Sequence, residues 1–145
     1  MSSFKKEYDT LADSIVTNAV VLDAASVVDG QQIPHYAYTD HAAWDTGAQF
    51  TFISPRLVEA LGLIPCGKAR YMGIGGDQES NIYQVHIALS NGMLIRNIDV
   101  YCTDIDDYDV LLGMDVIVHT DFLITNKDGK TTFQFRTPSE GGVEL

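Results

Sequence analysis

The sequence predicts a small all-β domain with one or two short helices, folded as a barrel or a sandwich. Short segments rich in Val, Ile, Tyr and Phe recur along the chain. Pairs of turn residues separate several of them, at Asp29-Gly30, Asn91-Gly92 and Asp128-Gly129. The chain has 145 residues, which is most simply one domain that can bury a core without a disulfide or a metal.

The first part of the chain predicts strands followed by a helix. Residues 1 to about 13 are polar and mixed in charge, which suits a short helix or a mobile arm. Residues 14–45 predict two or three strands. The segment "SPRLVEALGL" predicts a short helix, because Ser54 can cap it, Pro55 suits its first position and Gly62 suits the position after its last turn.

A glycine-rich stretch, "YMGIGGDQES" at residues 71–80, lies between β-like segments and predicts a hairpin tip. A dinucleotide-binding loop is not expected, because Gln78 stands where that fingerprint requires its third glycine. Two interpretations remain, a mobile lid over a site and a plain glycine-rich turn. Residues 82–89 then alternate between apolar and polar, as a half-buried strand does, and Asn91-Gly92 turns the chain into a return strand at 93–102.

The C-terminal part predicts an apolar strand in "YDVLLGMDVI", residues 108–117, which Gly113 ends and a helical turn follows. A last hairpin is expected at residues 121–136, with its turn at Asp128-Gly129. An acidic run precedes the strand and consists of Asp104, Asp106, Asp107 and Asp109. This run is expected to repel acidic substrates if it borders a cleft, and otherwise to be a solvated loop.

Charge and composition argue against several classes of protein. The formal net charge is −11, and no Lys/Arg cluster is available to bind nucleic-acid phosphates. No apolar run approaches the roughly 20 residues of a transmembrane helix, and the N-terminal stretch does not match a signal peptide. We therefore predict a soluble cytoplasmic protein that binds neither nucleic acid nor membrane. Cys66 and Cys102 are expected to be buried, reduced thiols, and the four histidines to be surface or half-buried residues rather than metal ligands.

The stretch "HAAWDTGAQFTFIS" places Asp45 at the end of an apolar approach. A buried carboxylate is costly unless another group pairs or hydrogen-bonds with it. Thr46 offers a hydroxyl, and Gly47 permits close approach of the backbone. Taken alone, this tripeptide is most simply a turn at the end of a strand, because motifs this short often match by chance.

Three segments taken together resemble the retroviral-type aspartic protease family, the retropepsins and their cellular and bacterial relatives. The segments are "AAWDTGAQFTFIS", "MGIGGDQE" and "DVLLGMDVI", in that order, and the resemblance covers roughly residues 20–136. In that family an apolar strand runs into the Asp-Thr-Gly-Ala motif, and a helix-prone segment, a glycine-rich flap and a second apolar strand follow. The resemblance implies a small closed β-barrel of retropepsin (acid protease) type, active as a twofold homodimer.

For function, the resemblance implies an aspartic endopeptidase in which each chain supplies one Asp45. No second Asp-Thr/Ser-Gly occurs in the sequence, so chemistry requires a dimer that brings the two copies together. The two carboxylates would share one proton and activate a water that attacks a peptide carbonyl. Neither a metal nor another cofactor is implied, and the substrate would be a peptide or an unfolded protein.

The same resemblance assigns supporting residues to the active-site loop, the flap and the second motif: Thr46, Gly47 and Ala48; Ile74, Gly75 and Gly76; Leu112, Gly113 and Asp115. Thr46 would hydrogen-bond across the dimer, and Gly47 would accept the substrate backbone at close range. The flap residues would close over an extended peptide, which can pair with the cleft as an added strand.

The chain departs from the retroviral pattern where those enzymes pair an acid with an arginine. Gln49 and Met114 stand at these positions, so another contact is expected to support the dimer. The expected organisation is an N-terminal extension at 1–19, the protease domain at 20–137 and a C-terminal tail at 138–145. The alternative function is a non-catalytic peptide-binding or dimerisation module that keeps the fold.

Overall fold

The computed structural model describes residues 2–26 and 35–145, and within them the chain is mostly β. The strands are β1 (Ser2–Glu7), β2 (Val16–Asp23), β3 (Tyr36–Trp44), β4 (Phe52–Ile53), β5 (Gly67–Gly73), β6 (Gly76–Leu89), β7 (Leu94–Cys102), β8 (Val110–Leu112), β9 (Asp121–Thr125) and β10 (Thr132–Thr137). The α-helices are α1 (Pro55–Leu61) and α2 (Met114–Ile117). These elements confirm the prediction of a β domain with short helices.

Six of the strands close into a barrel. They follow the hydrogen-bonded order β2-β3-β8-β4-β7-β6, and β6 pairs back with β2 to complete the ring. Strand β5 lies outside the ring, where it pairs with β6 as the second arm of a hairpin. The architecture is therefore the predicted closed barrel and not a sandwich.

Aliphatic and β-branched side chains fill the barrel. Along β6 the alternating residues Tyr83, Val85, Ile87 and Leu89 are all buried, as the sequence pattern predicts. They share one cluster with fully buried side chains of other ring strands, among them Val21, Val100, Val110 and Leu112. Each full burial of such a side chain contributes roughly 1.5–3 kcal/mol, so the ring is held mainly by this core.

Helix α1 begins and ends where the local signals predict. The Ser54 hydroxyl accepts a hydrogen bond from the N–H of Leu57 at 3.2 Å, which satisfies a donor that the first helical turn leaves free. Pro55 is the first helical residue, and Gly62 ends the helix in the left-handed conformation with φ of 61°. A short helix between β4 and β5 is thereby fixed at both ends.

The glycine turns also lie between antiparallel strands, as predicted. Asn91-Gly92 joins β6 to β7, and Asp128-Gly129 lies between β9 and β10. Both glycines have positive φ, 89° at Gly92 and 73° at Gly129, which accounts for glycine at these positions. The turn predicted at Asp29-Gly30 lies outside the described residues.

The N-terminal segment is a strand, not the predicted short helix or mobile arm. Strand β1 pairs antiparallel with β10 from Ser2 opposite Thr137 to Glu7 opposite Thr132, and β10 also pairs with β9. Beyond β1, the N–H of Ala12 donates to the Thr131 hydroxyl at 2.8 Å, a contact across 119 positions. The prediction was wrong because β1 is held by residues far along the chain, and such pairing leaves no pattern in the local sequence of a polar segment.

Trp44, the last residue of β3, connects the barrel to this three-stranded sheet. Its indole N–H donates to the Thr17 hydroxyl at 3.0 Å. Its ring centroid lies 6.1 Å from that of Phe122, 5.2 Å from that of Phe133 and 4.9 Å from that of Phe135. Aromatic pairs at these separations each contribute about 0.5–1.5 kcal/mol beyond burial. The strand that ends at Asp45 is thus anchored on the sheet formed by the two chain ends.

Two predictions about single residues need correction. Cys66 is exposed rather than buried, and Cys102 is half-buried, where burial raises the pKa of its thiol. His86 is buried rather than at or near the surface, and its Nδ1 accepts the N–H of Asn97 at 2.9 Å, where the pairing of β6 with β7 has a β-bulge. Burial, together with the positive charge of Arg96, lowers the pKa of this imidazole.

Candidate active site

Asp45 follows directly on β3 and lies beside the end of β8. The two strands run parallel, with Trp44 opposite Leu112, and the N–H of Asp45 donates to the Leu112 carbonyl at 2.9 Å. The side chain is half-buried, and one carboxylate oxygen accepts the N–H of Gly47 at 2.8 Å. A Cβ on Gly47 would lie 3.2 Å from that same oxygen. Because Gly47 has no Cβ, the Asp45 carboxylate can approach closely enough to accept its N–H.

Gly113 allows the second motif to touch the Asp45 loop. A Cβ at this position would lie 2.4 Å from the Phe50 carbonyl oxygen and 3.0 Å from that of Ala48. Gly113 has an extended conformation, with φ of −89°, which other residues can also adopt. Glycine is therefore required here because a side chain would not fit, and not because the backbone needs a positive φ. The next residue, Met114, donates its N–H to the Ala48 carbonyl at 2.8 Å. The two motifs are thus joined by their backbones.

Asp115 and Thr51 form the second link between the motifs. The Thr51 hydroxyl donates to one Asp115 carboxylate oxygen at 2.6 Å, and the Thr51 N–H donates to the other at 3.0 Å. The same hydroxyl accepts the N–H of Gly113 at 3.1 Å, and Thr51 is fully buried. Charge-assisted bonds of this kind are the strong ones. They join the segments that carry Gln49 and Met114, where no ion pair is present among the described residues.

The β5–β6 hairpin extends over the same cleft as Asp45. Gly73 pairs with Gly76, so Ile74 and Gly75 form its two-residue tip, and Gly76 begins β6 with φ of 99°. Ile74 is fully exposed and Met72, near the tip, is 79% exposed. Ile74 and Gly75 line the cleft with Asp45, whereas Gly76 is not among its lining residues. The predicted tip therefore faces the predicted aspartate.

The cleft between hairpin and barrel has a volume of about 860 Å³. Its floor is the Asp45 loop with Phe52 and Leu111, one wall is the hairpin, and the other is the segment Thr103, Asp104 and Ile105. Phe50, Phe52 and Tyr71 of the lining pack on Tyr101 with ring centroids 5.0 to 5.7 Å away. The cleft therefore combines one carboxylate on the floor with a largely aromatic side.

The acidic run lies beside the cleft but only one of its members faces it. Asp104 lines the cleft, while Asp106 and Asp107 are exposed outside it. Asp109 bonds instead to Thr39 at 2.7 Å and to Arg56 at 3.0 Å. Burial works to raise the pKa of Asp109, but these hydrogen bonds and the charge of Arg56 outweigh it, so its pKa lies below the ordinary value. Asp104 thus borders the cleft while its side chain is exposed to solvent, and the expectation of a solvated loop fails for Asp109.

Sequence reasoning missed several residues that the fold brings to the site. Thr51 is the clearest, together with the cleft-lining side chains Phe50, Phe52, Arg70, Tyr71, Gln78, Thr103 and Ile105. Thr51 carried a signal, because it is a lone hydroxyl inside the apolar run at 50–53. Asp104 was named in the acidic run, but its place in the cleft was not predicted, since its loop reaches the cleft only through long-range strand pairing.

Thr46 lies on the loop but does not line the cleft, and its side chain is exposed. Within residues 2–26 and 35–145 no group of three or more His, Cys, Asp or Glu residues is placed to hold a metal ion. Neither helix in that part of the chain is long and apolar enough to cross a bilayer.

Comparisons with known proteins identify similar sequences and similar folds. A family model described as "gag-polyprotein putative aspartyl protease" matches residues 38–119. The structure is similar to a retropepsin-like aspartic protease from Rickettsia conorii, at 13% identity over 91% of each chain and a TM-score of 0.51. It is also similar to the EIAV protease complexed with the inhibitor HBY-793, at 20% identity over 74% of this chain and 88% of that one, with a TM-score of 0.49. The protease of simian foamy virus (mac) gives 18% identity over 71% and 91% of the two chains, with a TM-score of 0.45. No curated protein matches the sequence.

Proposed function

The chain belongs to the gag-polyprotein aspartyl protease family and has the retropepsin-like fold, and from this premise we propose that it is a homodimeric aspartic endopeptidase. The observation that carries the proposal is the position of Asp45. Its half-buried carboxylate lies on the floor of the cleft, is held by the N–H of Gly47, and faces the tip of the β5–β6 hairpin. A peptide lying between hairpin and floor would pass directly over this carboxylate.

The proposed chemistry uses two copies of Asp45, one from each chain. Two carboxylates brought within a few ångströms hold one proton between them, because both cannot easily be charged. The ionised member takes a proton from a water, the water oxygen attacks the peptide carbonyl, and the protonated member donates to the carbonyl oxygen. Collapse of this intermediate breaks the C–N bond: the Asp45 that took the water's proton donates it to the leaving nitrogen, and the other Asp45 takes a proton from a hydroxyl of the intermediate as the C=O bond reforms, which restores the one proton on the pair. Activity is then bell-shaped in pH, since it requires one proton on the pair.

Thr46 supports the dimer in this proposal. Its exposed hydroxyl makes no hydrogen bond within the described residues, so it is available to bond the equivalent loop of a second copy. The backbone bond between Met114 and Ala48 and the Thr51–Asp115 bonds hold each loop in position. They take the place of the acid–arginine pair that Gln49 and Met114 cannot form.

The hairpin acts as the flap in this proposal. Ile74 and Met72 expose large apolar side chains at its tip, which a bound extended peptide would cover. The hairpin backbone and the cleft walls offer strand-like pairing to such a peptide. The substrate class is therefore peptides or unfolded segments, and a cytoplasmic location stays a prediction from the sequence.

The test is cleavage of a diverse peptide mixture by the purified protein and by Asp45→Asn, at acid and neutral pH, with products identified by mass spectrometry. Asp107→Asn is the matched control, because it neutralises an exposed aspartate outside the cleft. We expect cleavage by the parent and the control, and none by Asp45→Asn at an unchanged dimer mass in light scattering. Equal cleavage by Asp45→Asn would refute the proposal. A dimer that binds peptides and cuts none of them would establish the non-catalytic module instead.

A further inference from the structure

Asp104 is a charged side chain in the cleft that the proposed chemistry does not use. The charged residues lining the cleft are Asp45 on the floor, Arg70 on the hairpin wall and Asp104 on the opposite wall. Of the acidic run, Asp104 alone lines this space. A peptide bound over Asp45 would therefore lie against Asp104 along one side.

The segment that carries Asp104 is held in place at both ends. At its start, the N–H of Thr103 donates to the Ile53 carbonyl at 3.2 Å, which fixes the chain to barrel strand β4. At its end, Arg56 binds the Asp109 carboxylate and donates to the Tyr108 carbonyl at 3.3 Å. The carboxylate of Asp104 is thus presented by an ordered loop, which lowers the entropy that a bound substrate must remove.

The Asp104 carboxylate has only part of its hydrogen-bonding capacity in use. One oxygen accepts the N–H of Asp106 at 3.1 Å. Among the described residues no cation forms an ion pair with Asp104. Arg70, the cation on the opposite wall, lies 3.7 Å from Asp77 of its own hairpin. The hairpin wall is therefore close to neutral, whereas the wall that carries Asp104 has a negative charge without a counter-charge.

We propose that Asp104 is a specificity-determining residue that selects substrates with a Lys or Arg side chain near the scissile bond. The inference rests on the proposed peptidase function, and it names the substrate class as basic, extended peptide segments. A basic side chain reaching the Asp104 wall supplies the missing counter-charge, and the peptide that covers the cleft excludes water from the contact. The net charge of −11 acts in the same direction, because it attracts basic chains and repels acidic ones.

The test uses extended peptides of one neutral sequence in which each position in turn carries Lys, Gln or Glu. Cleavage rates are compared for the parent, Asp104→Asn, Asp104→Lys and the control Asp107→Asn. At one position we expect the parent and the control to cleave the Lys peptide faster than the Glu peptide. Asp104→Asn should lower this ratio about fivefold, the upper range for an exposed ion pair, and Asp104→Lys should invert it. The parent's ratio should also fall as salt rises from about 0.05 M to about 0.5 M.

The outcomes distinguish a failure of the proposed role of Asp104 from a failure of the proposed peptidase function. A parent that cleaves none of the peptides refutes the peptidase function and the inference with it. A parent that cleaves the neutral peptide, with Lys-to-Glu ratios that Asp104→Asn leaves unchanged at every position, refutes the role of Asp104 alone. Measurable cleavage of the neutral peptide by each of the four proteins shows that the variants fold and act, and the Lys-to-Glu ratio within each protein cancels any change in that basal rate.

Discussion

Replacing Gly113 with alanine would place a methyl group against the backbone of the loop that carries Asp45. The added Cβ would lie 2.4 Å from the Phe50 carbonyl oxygen, 2.6 Å from the Phe50 carbonyl carbon and 3.0 Å from the Ala48 oxygen. These contacts are backbone atoms, so no side chain can rotate away, and the two motifs must separate. Overpacking of this kind costs about 1–3 kcal/mol. Because three backbone atoms are too close at once, we expect the upper end, about 3 kcal/mol.

The assay is urea denaturation at one fixed protein concentration, since the stability of the proposed dimer would depend on concentration. With a slope of about 2 kcal/mol per M, the loss lowers the midpoint by about 1.5 M. Gly67→Ala is the control, because a Cβ at Gly67 would meet nothing within 4 Å, and its midpoint should move by no more than about 0.3 M. Equal midpoints for the two variants would refute the claim that space between the motifs explains Gly113.

Two further predictions concern carboxylate contacts. Thr51→Val leaves Asp115 without its hydroxyl donor and the Gly113 N–H without an acceptor, and should cost about 3 kcal/mol of unfolding free energy. The control Thr51→Ser keeps the hydroxyl and should cost about 1 kcal/mol. Equal losses for the two variants would contradict the role of the Thr51 hydroxyl. The Ser139 hydroxyl bond is the largest of the contacts that lower the pKa of Asp121 to about 2. A carboxylate with a lowered folded pKa stabilises above its unfolded pKa of about 4, so the parent should lose this contribution as pH falls from about 4 to about 2. Thermal unfolding of Asp121→Asn should lack that part of the acid dependence, and identical pH profiles for the two proteins would be the contrary result.

The parts of the fold that the sequence predicted are those with local signals. Helix α1 has its cap, its proline and its final glycine within ten residues, and the turns at Asn91-Gly92 and Asp128-Gly129 have their own glycines. Strand β6 was predicted because one face is buried along the strand, which gives the alternation of period two. In each case the deciding interactions lie within a few positions of one another.

The parts that were not predicted depend on contacts between distant segments. The polar residues of β1 form a strand only because β10 offers them an unpaired edge. Thr51 and Asp115 are 64 positions apart, and neither residue alone indicates the other. Asp104 reaches the cleft because β7 pairs with β4 and β6, which no short motif encodes. Sequence reasoning therefore found the motifs and missed the bonds that join them.

The position of Trp44 makes the protein its own optical reporter. It is the one tryptophan in the sequence, so intrinsic fluorescence excited at the indole band comes from a single known place, next to Asp45. The indole contacts both the barrel and the sheet formed by the chain ends. Emission therefore signals whether the two ends are docked against the strand that leads to Asp45, and the docking can be followed in real time, without a label or a mutation.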